Sequence, residues 1–430
     1  MPRLEMILSQ MSSVAKPQRK FMLTLLTALM YLPSRVNFRN LGRYTDLNEK
    51  TFSRWFLRPF DFLAFNLLIL KEVLIGGGEC IAAIDASFVP KRGRKSYGLG
   101  WFWNGSRGQS ERGQEISVLA VVDVAHNTAY TLSAYQTPNL PKSTAKKGKP
   151  ARKTASTTKK AAAKTKPKSG IDPLLPTRVD SYLEHLRRDS KALLGCSIRY
   201  LVADSFYAKV KFVSGVVELK LQLISKLRQD ADLRWLYEGP QKPKGRPRLY
   251  DGKVSFDDLS RFKFVGEIEE QRIYTAIVNS PTLKQAIRIV YIVRLDQGKT
   301  YTALLFSTDT ACPALDIIRY YKSRFQIEFL FRDAKQHTGL CDCQSTHQAK
   351  LNFHFNVSLA ALNLLRLEDR QYHLEEHING RNIISIASWK IRKFNAHLLE
   401  RFSCHLKLDF TAIKSTPVFT DLCNYGAIAA

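Results

Sequence analysis

Acidic residues are scarce in this chain of 430 residues. Its 38 Asp and Glu residues are outnumbered by 66 Lys and Arg residues, which leaves a formal net charge of +28 at pH 7. A balance this basic favours a polyanionic partner, and nucleic acid is a better candidate than an acidic membrane surface.

Long apolar runs are also lacking. The most apolar stretch, FMLTLLTALMYL at 21–32, is too short for a membrane span and is followed by charged amphipathic sequence. It begins too far along the chain for a signal peptide and has no small-residue cleavage site. We therefore expect a buried helix there and no membrane association. The apolar content of 45% is ample for a core, and the length predicts two or three structural units.

The cysteines lack the pattern of a disulfide framework. There are seven, an odd number dispersed over the chain, which is typical of a reduced intracellular protein. The one close pair, Cys341 and Cys343 with His347 nearby, lacks the second half of a zinc site.

Residues 1–75 are predicted to be helical and to contain a helix-turn-helix. In RVNFRNLGRYTDLNEKTFSRWF two apolar faces flank the turn and capping sequence TDLN. Lys50 and Arg54 lie on the outward positions of the second helix, where they suit phosphate and base-edge contacts. An ordinary helical hairpin is the alternative.

The pattern of the remaining chain predicts four further regions. These are an α/β region at 76–221 containing a low-complexity basic insert at 141–170, a β-strand insertion at 222–300, a second α/β part at 301–349, and a helical region at 350–430. The insert holds 11 Lys or Arg residues and no acid, so we expect it to be disordered when free.

One helical segment, YYKSRFQIEFLFRDAKQHTGL at 320–340, carries a stripe of polar side chains. At 100° per residue Tyr321, Arg324, Glu328 and Lys335 fall within an arc of about 60°. Such a stripe is usually a solvated face supported by weak ion pairs.

Two aspartates favour a different interpretation of the stripe. Asp85 and Asp204 each end a short apolar run, so we expect both at the rim of a sheet. Together with Glu328 they would supply three carboxylates, the hard oxygen ligands that two divalent metal ions need for phosphodiester transfer. Arg324 and Lys335 then fit as phosphate clamps, and the Tyr321 hydroxyl can donate to a phosphate oxygen.

These residues resemble the DDE transposases of bacterial insertion sequences, in the insertion-sequence-four group. The spacing Tyr-x2-Arg-x3-Glu-x6-Lys of that group is met from Tyr321 to Lys335, and DASFVPK and VADSFY around the two aspartates are similar too. The resemblance covers about residues 78–345.

The resemblance implies an α/β fold with an RNase H-like (retroviral-integrase-like) catalytic core, an antiparallel β insertion, and helical N-terminal and C-terminal regions. It implies Asp85, Asp204 and Glu328 as catalytic metal ligands for two Mg2+ ions, with Mn2+ as a substitute. It further implies a homodimer in the synaptic complex, with double-stranded DNA, as terminal inverted repeats and target, for substrate. The expected location is the bacterial cytoplasm, with nucleoid association when the protein is bound to DNA.

Three activities are compatible with this sequence. The first is cut-and-paste transposition, the second is cleavage by an RNase H-like nuclease without strand transfer, and the third is DNA binding by a derivative that no longer cleaves. The complete set of three carboxylates disfavours the third.

Two weaker signals lie in the β-strand insertion. KGRPRLYDG at 244–252 resembles the core of an AT-hook, although a solvated basic turn is the commoner explanation. Near the start of the insertion, Lys226 and Arg228 lie near a strand end, and Trp235 and Tyr237 are candidates for exposed aromatic residues. A flipped base could stack there, with core packing as the favoured alternative for each aromatic residue.

Deletion of residues 141–170 should make DNA binding less steeply dependent on salt. The 11 positive charges would release counterions from the DNA, and their loss should flatten the plot of log Kd against log salt. The melting temperature should hardly change, because the segment has almost nothing to bury. An unchanged salt slope in the deleted protein would show that these lysines do not contact DNA.

Overall fold

The computed structural model describes residues 2–74, 77–140, 176–296, 299–375 and 385–428. The predicted basic insert at 141–170 thus lies outside the described residues. The helices are α1 (Pro2–Gln10), α2 (Lys16–Tyr31), α3 (Phe38–Tyr44), α4 (Glu49–Trp55), α5 (Phe62–Leu74), α6 (Arg178–Gly195), α7 (Val210–Glu218), α8 (Ala314–Ser323), α9 (Gln326–His337), α10 (Gln348–Glu375), α11 (Ile386–His405), α12 (Phe410–Lys414) and α13 (Pro417–Asn424).

The strands are β1 (Cys80–Pro90), β2 (Gly100–Asn104), β3 (Gln109–Asp123), β4 (Thr128–Gln136), β5 (Tyr200–Val202), β6 (Gln222–Leu227), β7 (Arg234–Leu236), β8 (Tyr250–Lys253), β9 (Lys263–Ile268), β10 (Gln271–Ser280), β11 (Gln285–Asp296) and β12 (Lys299–Ser307). A short 3-10 turn covers Ser205–Tyr207. None of the described helices combines the length and the apolar character that crossing a bilayer requires.

All the described strands belong to one mixed sheet. Its order is β2-β3-β1-β5-β6-β12-β11-β10-β7-β8, with β4 paired to β3 and β9 paired to β10. The pairs β1–β5 and β5–β6 are parallel, whereas the other pairs are antiparallel. Parallel neighbours need a crossover connection, which α7 supplies between β5 and β6. The protein is therefore a mixed α/β structure with helices packed on a large sheet.

The β-rich region predicted at 222–300 extends this sheet. Strand β6 belongs to the parallel part, and β12 pairs with it in the antiparallel direction, from Leu304 opposite Leu227 to Ser307 opposite Ile224. Strands β7 to β11 then continue the sheet outward. Trp235 is only 8% exposed and its ring lies 5.2 Å from that of Phe262, so the structure corrects the suggestion that Trp235 is an exposed stacking residue.

Helices α3 and α4 form the helical hairpin at the N-terminal side. Asn48 begins α4 by accepting a hydrogen bond of 2.9 Å from the Thr51 backbone N–H. Leu41 and Phe52 are fully buried between the two helices and their neighbours, while Lys50 and Arg54 are exposed.

The segment that carries the polar stripe is two helices and not one. Helix α8 ends at Ser323 and α9 begins at Gln326. Between them, the N–H of Phe325 donates to the carbonyl of Lys322 and that of Ile327 to the carbonyl of Arg324, at 3.2 and 3.1 Å. These bonds span three residues in place of four and tighten the turn locally, although both connecting residues keep right-handed helical dihedral angles.

Helix α10 closes the free edge of β4 with its side chains. Asn356 and Asn363 each exchange a pair of hydrogen bonds with the β4 backbone, the first at Ala134 and the second at Thr131. Arg366 donates to the carbonyl of Ala129 farther along the same strand. The groups that an edge strand would leave unpaired are thus satisfied inside the protein.

A buried ion pair attaches α9 to this assembly. Arg366, whose side chain is 5% exposed, donates to Asp333 on α9 at 2.9 Å. Asp333 also accepts from Arg332, but that guanidinium is 54% exposed. Arg366 therefore joins α9, α10 and β4 through one side chain.

Arg366→Ala should lower the free energy of unfolding by about 3–5 kcal/mol, because it leaves a buried carboxylate without its buried partner. Arg332→Ala removes a cation from the same carboxylate at a solvated position and should cost less than about 1 kcal/mol. Urea unfolding of the two variants checks this. Equal losses would contradict a central role for the buried pair.

Candidate active site

Asp85 lies in the middle of β1, whereas the sequence predicts it at the end of the strand. Strand β1 pairs with β3 over its whole length, from Cys80 opposite Asp123 to Pro90 opposite Gly113. On its other side, however, the described pairing with β5 ends where Ala83 meets Val202. Asp85 therefore occupies the point at which β1 loses its parallel neighbour, and this is why a carboxylate is accommodated within an apolar strand.

Asp204 occupies the matching position beyond β5. It follows Val202 by two residues, just as Asp85 follows Ala83, and Val202 and Ala83 are paired. Neighbouring strands lie about 4.8 Å apart, so the two aspartates start from adjacent strands at the same level of the sheet. Asp204 begins the 3-10 turn by accepting a hydrogen bond of 2.9 Å from the backbone N–H of Phe206.

Arg324 connects Glu328 to Asp85. Its Nη2 donates to Oε1 of Glu328 at 2.9 Å, and its Nη1 lies 3.9 Å from Oδ2 of Asp85. The Arg324 side chain is only 14% exposed, whereas that of Glu328 is 41% exposed. A single guanidinium thus lies between a carboxylate of the sheet and a carboxylate of α9.

The electrostatics place Asp204 in the same cluster. Burial raises the pKa of Asp85 to about 7, and repulsion from Asp204 and Glu328 adds to this rise, while the Ala86 N–H and Arg324 oppose it. Burial also raises the pKa of Asp204, again with a contribution from Glu328 and with Arg324 opposing. The three carboxylates therefore repel one another around one cation.

Of the other two residues of the stripe, Tyr321 belongs to this cluster and Lys335 lies outside it. The ring of Tyr321 lies 5.7 Å from the Arg324 guanidinium carbon, and burial raises the pKa of its hydroxyl. Lys335 is half-buried farther along α9, beside Cys341, and burial lowers its pKa. Lys50 and Arg54 lie on α4, and no contact among the described residues joins them to the carboxylates.

The sequence interpretation missed two residues that follow Asp204. The Tyr207 hydroxyl is fully buried and has no hydrogen-bond partner among the described residues. Burial raises its pKa, and the negative charges of Asp85 and Asp204 raise it further. The Lys209 ammonium lies 3.6 Å from the centre of the Phe206 ring and is attracted by Asp204. Both residues belong to SFYAK, which could have identified them through its proximity to Asp204.

The donor set fits a divalent metal by its chemistry. Three carboxylates supply hard oxygen ligands, and their mutual repulsion is what a bound cation would relieve. Among the described residues, however, no group of three or more His, Cys, Asp or Glu side chains is arranged to hold a metal ion. The guanidinium between Asp85 and Glu328 is the cation that separates them in this arrangement.

Asp85→Asn should stabilise the protein at pH 8 in metal-free buffer. Folding raises the pKa of Asp85 to about 7, so the unfolded chain releases this proton near pH 4 and the folded protein releases it only near pH 7. Stability is therefore lost as the pH rises from about 4 to 7, and the neutral amide avoids this loss. We expect a gain of about 2–4 kcal/mol at pH 8 that shrinks as the pH falls toward 4. Thermal unfolding in EDTA at several pH values measures it.

Asp232→Asn is the matched control, because that side chain is 48% exposed and lies in the loop between β6 and β7. It should give the same unfolding curve as the wild type at each pH. A pH-independent effect of Asp85→Asn would show that folding does not raise the pKa of Asp85.

Comparison with known proteins identifies the family. A family model described as DDE superfamily endonuclease matches residues 10–276, which is more than half of the chain and includes Asp85 and Asp204. Curated proteins gave no match. The chain therefore belongs to the DDE superfamily endonucleases, a family of nucleases whose substrate is DNA.

Proposed function

We propose that this protein is a transposase that moves an insertion sequence by a cut-and-paste route. The observation that carries the proposal is the cluster of Asp85, Asp204 and Glu328 around the Arg324 guanidinium, in a basic chain of an endonuclease family. Family membership alone supports only DNA cleavage. The complete Tyr321, Arg324, Glu328 and Lys335 pattern supports the insertion-sequence-four group.

The arrangement of the sheet supports an RNase H-like core. Strands β4, β3, β1, β5 and β6 lie side by side, with α6 before β5 and α7 before β6. The two aspartates leave β1 and β5 at one level, and strands β7 to β12 would form the antiparallel insertion before the helix that carries Glu328. In this proposal α3 and α4 are the DNA-binding helix-turn-helix, with Lys50 and Arg54 toward the DNA.

The three carboxylates would hold two Mg2+ ions, or Mn2+ in their place. The ions would activate the attacking oxygen and neutralise charge that develops on the phosphate. Arg324 would bind a phosphate oxygen by its two-pronged guanidinium, and Tyr321 would donate its hydroxyl to another. Lys335 would attract the adjacent phosphate. The low exposure of Arg324 strengthens its electrostatic effect because little water competes with it.

The proposed reaction alternates hydrolysis and strand transfer. Water first cleaves one strand at each end of the element, which leaves a 3′-hydroxyl on the element and a 5′-phosphate on the flanking DNA. The 3′-hydroxyl then attacks the opposite strand, forms a hairpin and expels the 3′-hydroxyl of the flanking DNA. A second water opens the hairpin and regenerates the 3′-hydroxyl of the element, which attacks target DNA and expels a target 3′-hydroxyl. Each strand transfer exchanges one phosphodiester bond for another and each other step is a hydrolysis, so no external energy source is needed. The substrate would be duplex DNA with terminal inverted repeats, held by a homodimer in the synaptic complex.

Glu328→Ala should abolish cleavage of end DNA in Mg2+ while leaving binding within about threefold of the wild type, because it removes a metal ligand and also relieves repulsion of the phosphate. Arg324→Ala should weaken both binding and cleavage, because it removes attraction. Arg188→Ala on α6, where the side chain is 55% exposed and pairs with Glu184 of the same helix, is the control and should retain both activities. Normal cleavage by the Glu328→Ala protein would contradict the assignment of Glu328.

The products of a gel assay with end DNA test the reaction itself. Hairpin or joined products establish strand transfer. Nicked DNA alone indicates a nuclease without strand transfer, and a mobility shift without cleavage indicates a DNA-binding derivative. Either of the last two results would overturn the proposal of cut-and-paste transposition.

A further inference from the structure

Two large aromatic side chains are exposed on the edge strand β2. Trp101 and Trp103 are 55% and 57% exposed, whereas Phe102 between them is buried. Side chains alternate along a strand, so both tryptophans project from the same face. Two large aromatic rings exposed side by side on one face form an apolar patch, and such patches mark interaction sites more often than single exposed residues do.

Trp101 lines a cleft of about 650 Å³ between this edge and helix α9, and Trp103 does not. The cleft is rich in cations: Lys91, Arg92, Arg107, Arg112 and Lys335. Arg112 lies directly across from Trp101 in the pairing of β2 with β3. The cleft therefore combines one stacking surface with several phosphate-binding groups.

Glu111 is the single acid among the described lining residues, and one carboxylate cannot neutralise five cations. It accepts hydrogen bonds from Asn104 at 2.7 Å and from Arg107 at 3.0 Å. Its carboxylate is therefore already engaged at the wall of the cleft. The excess of cations favours a polyanion as the occupant.

The cleft is joined to the candidate active site by the sheet and by helix α9. On the sheet, Asp85 pairs with Val118, and Arg112 lies six residues from Val118 along β3. Because six is an even number, Arg112 and its partner Trp101 lie on the same face as Asp85, about 20 Å away. Helix α9 carries Glu328 and then Lys335, seven residues or about 10 Å farther along. At a rise of about 3.4 Å per nucleotide, a DNA strand with one phosphate at the carboxylates would reach Lys335 within about three nucleotides and Trp101 within about six.

We propose that this cleft binds an unpaired stretch of the DNA strand next to the cleavage site, with one base stacked on Trp101 and the flanking phosphates held by the arginines. The identification of DNA rests on the proposed function. An unpaired strand is favoured over a duplex because a basic groove with an exposed aromatic ring offers both of the contacts that single strands use. Bases inside a duplex are already stacked on one another and have no free face for Trp101.

The test uses the full chain in EDTA, so that no strand is cut, and a fluorescent single-stranded oligonucleotide compared with a duplex of the same sequence. Trp101→Ala should weaken binding of the single strand about tenfold and leave duplex binding within twofold. Trp103→Ala is the matched control, since that tryptophan is equally exposed on the same face but lies outside the cleft. It should change neither affinity by more than twofold.

A second measurement identifies stacking without depending on a variant. Oligonucleotides that carry one abasic nucleotide at successive positions should bind the wild-type protein more weakly when the gap falls at the stacked position, and the Trp101→Ala protein should show no such position. Equal effects of the two tryptophan variants, or an abasic series without a weak position in the wild type, would overturn the proposal. Neither readout involves cleavage, so the cleft can fail while the transposase assignment stands, and the reverse.

Discussion

The attachment of helix α9 to the sheet determines whether the three carboxylates can act together. Glu328 is on that helix, and Asp85 and Asp204 are on the sheet and just beyond it, so the cluster exists only while the helix keeps its position. The buried pair of Arg366 with Asp333 provides the fixed point, five residues along α9 from Glu328. Because Arg366 also donates to the backbone of β4, the same side chain holds both α9 and this strand.

The cluster itself is electrostatically unfavourable. Three carboxylates surround one partly buried guanidinium, and the raised pKa of Asp85 reflects first its burial and then repulsion from the other two carboxylates. A fold selected only for stability would replace these side chains with apolar ones. The like charges at the end of β5 therefore lower the stability of the folded protein, and a role in function accounts for their presence. The surrounding packing has to offset this loss of stability.

The sequence was a good guide to the residues of this cluster because spacing along a helix is a local property. It predicted that Tyr321, Arg324 and Glu328 face the same way, and all three interact with one another in the structure. The tightened turn at Arg324 was not predictable, since it depends on hydrogen bonds that differ little in energy from those of a regular helix. The apolar run through Asp85 also concealed that pairing with β3 continues beyond it. The sequence did not indicate Trp101, because the cleft that it lines also includes Lys335 of α9, which is far from it in the chain.

The side chains with which α10 closes the edge of β4 also fix how that helix can move. Asn356 and Asn363 are seven residues apart on the helix, and their partners Ala134 and Thr131 are three residues apart on the strand. A β-bulge interrupts β4 between these partners, since Leu119 opposes Ser133 and Ala120 opposes Thr131. In a regular strand, residues three positions apart turn their N–H and C=O groups to opposite edges, and the bulge brings both pairs to the edge that faces α10. Sliding by a single helical residue would carry both amides about 1.5 Å out of register at once. Movement of α10 along this edge would therefore break both pairs of hydrogen bonds together.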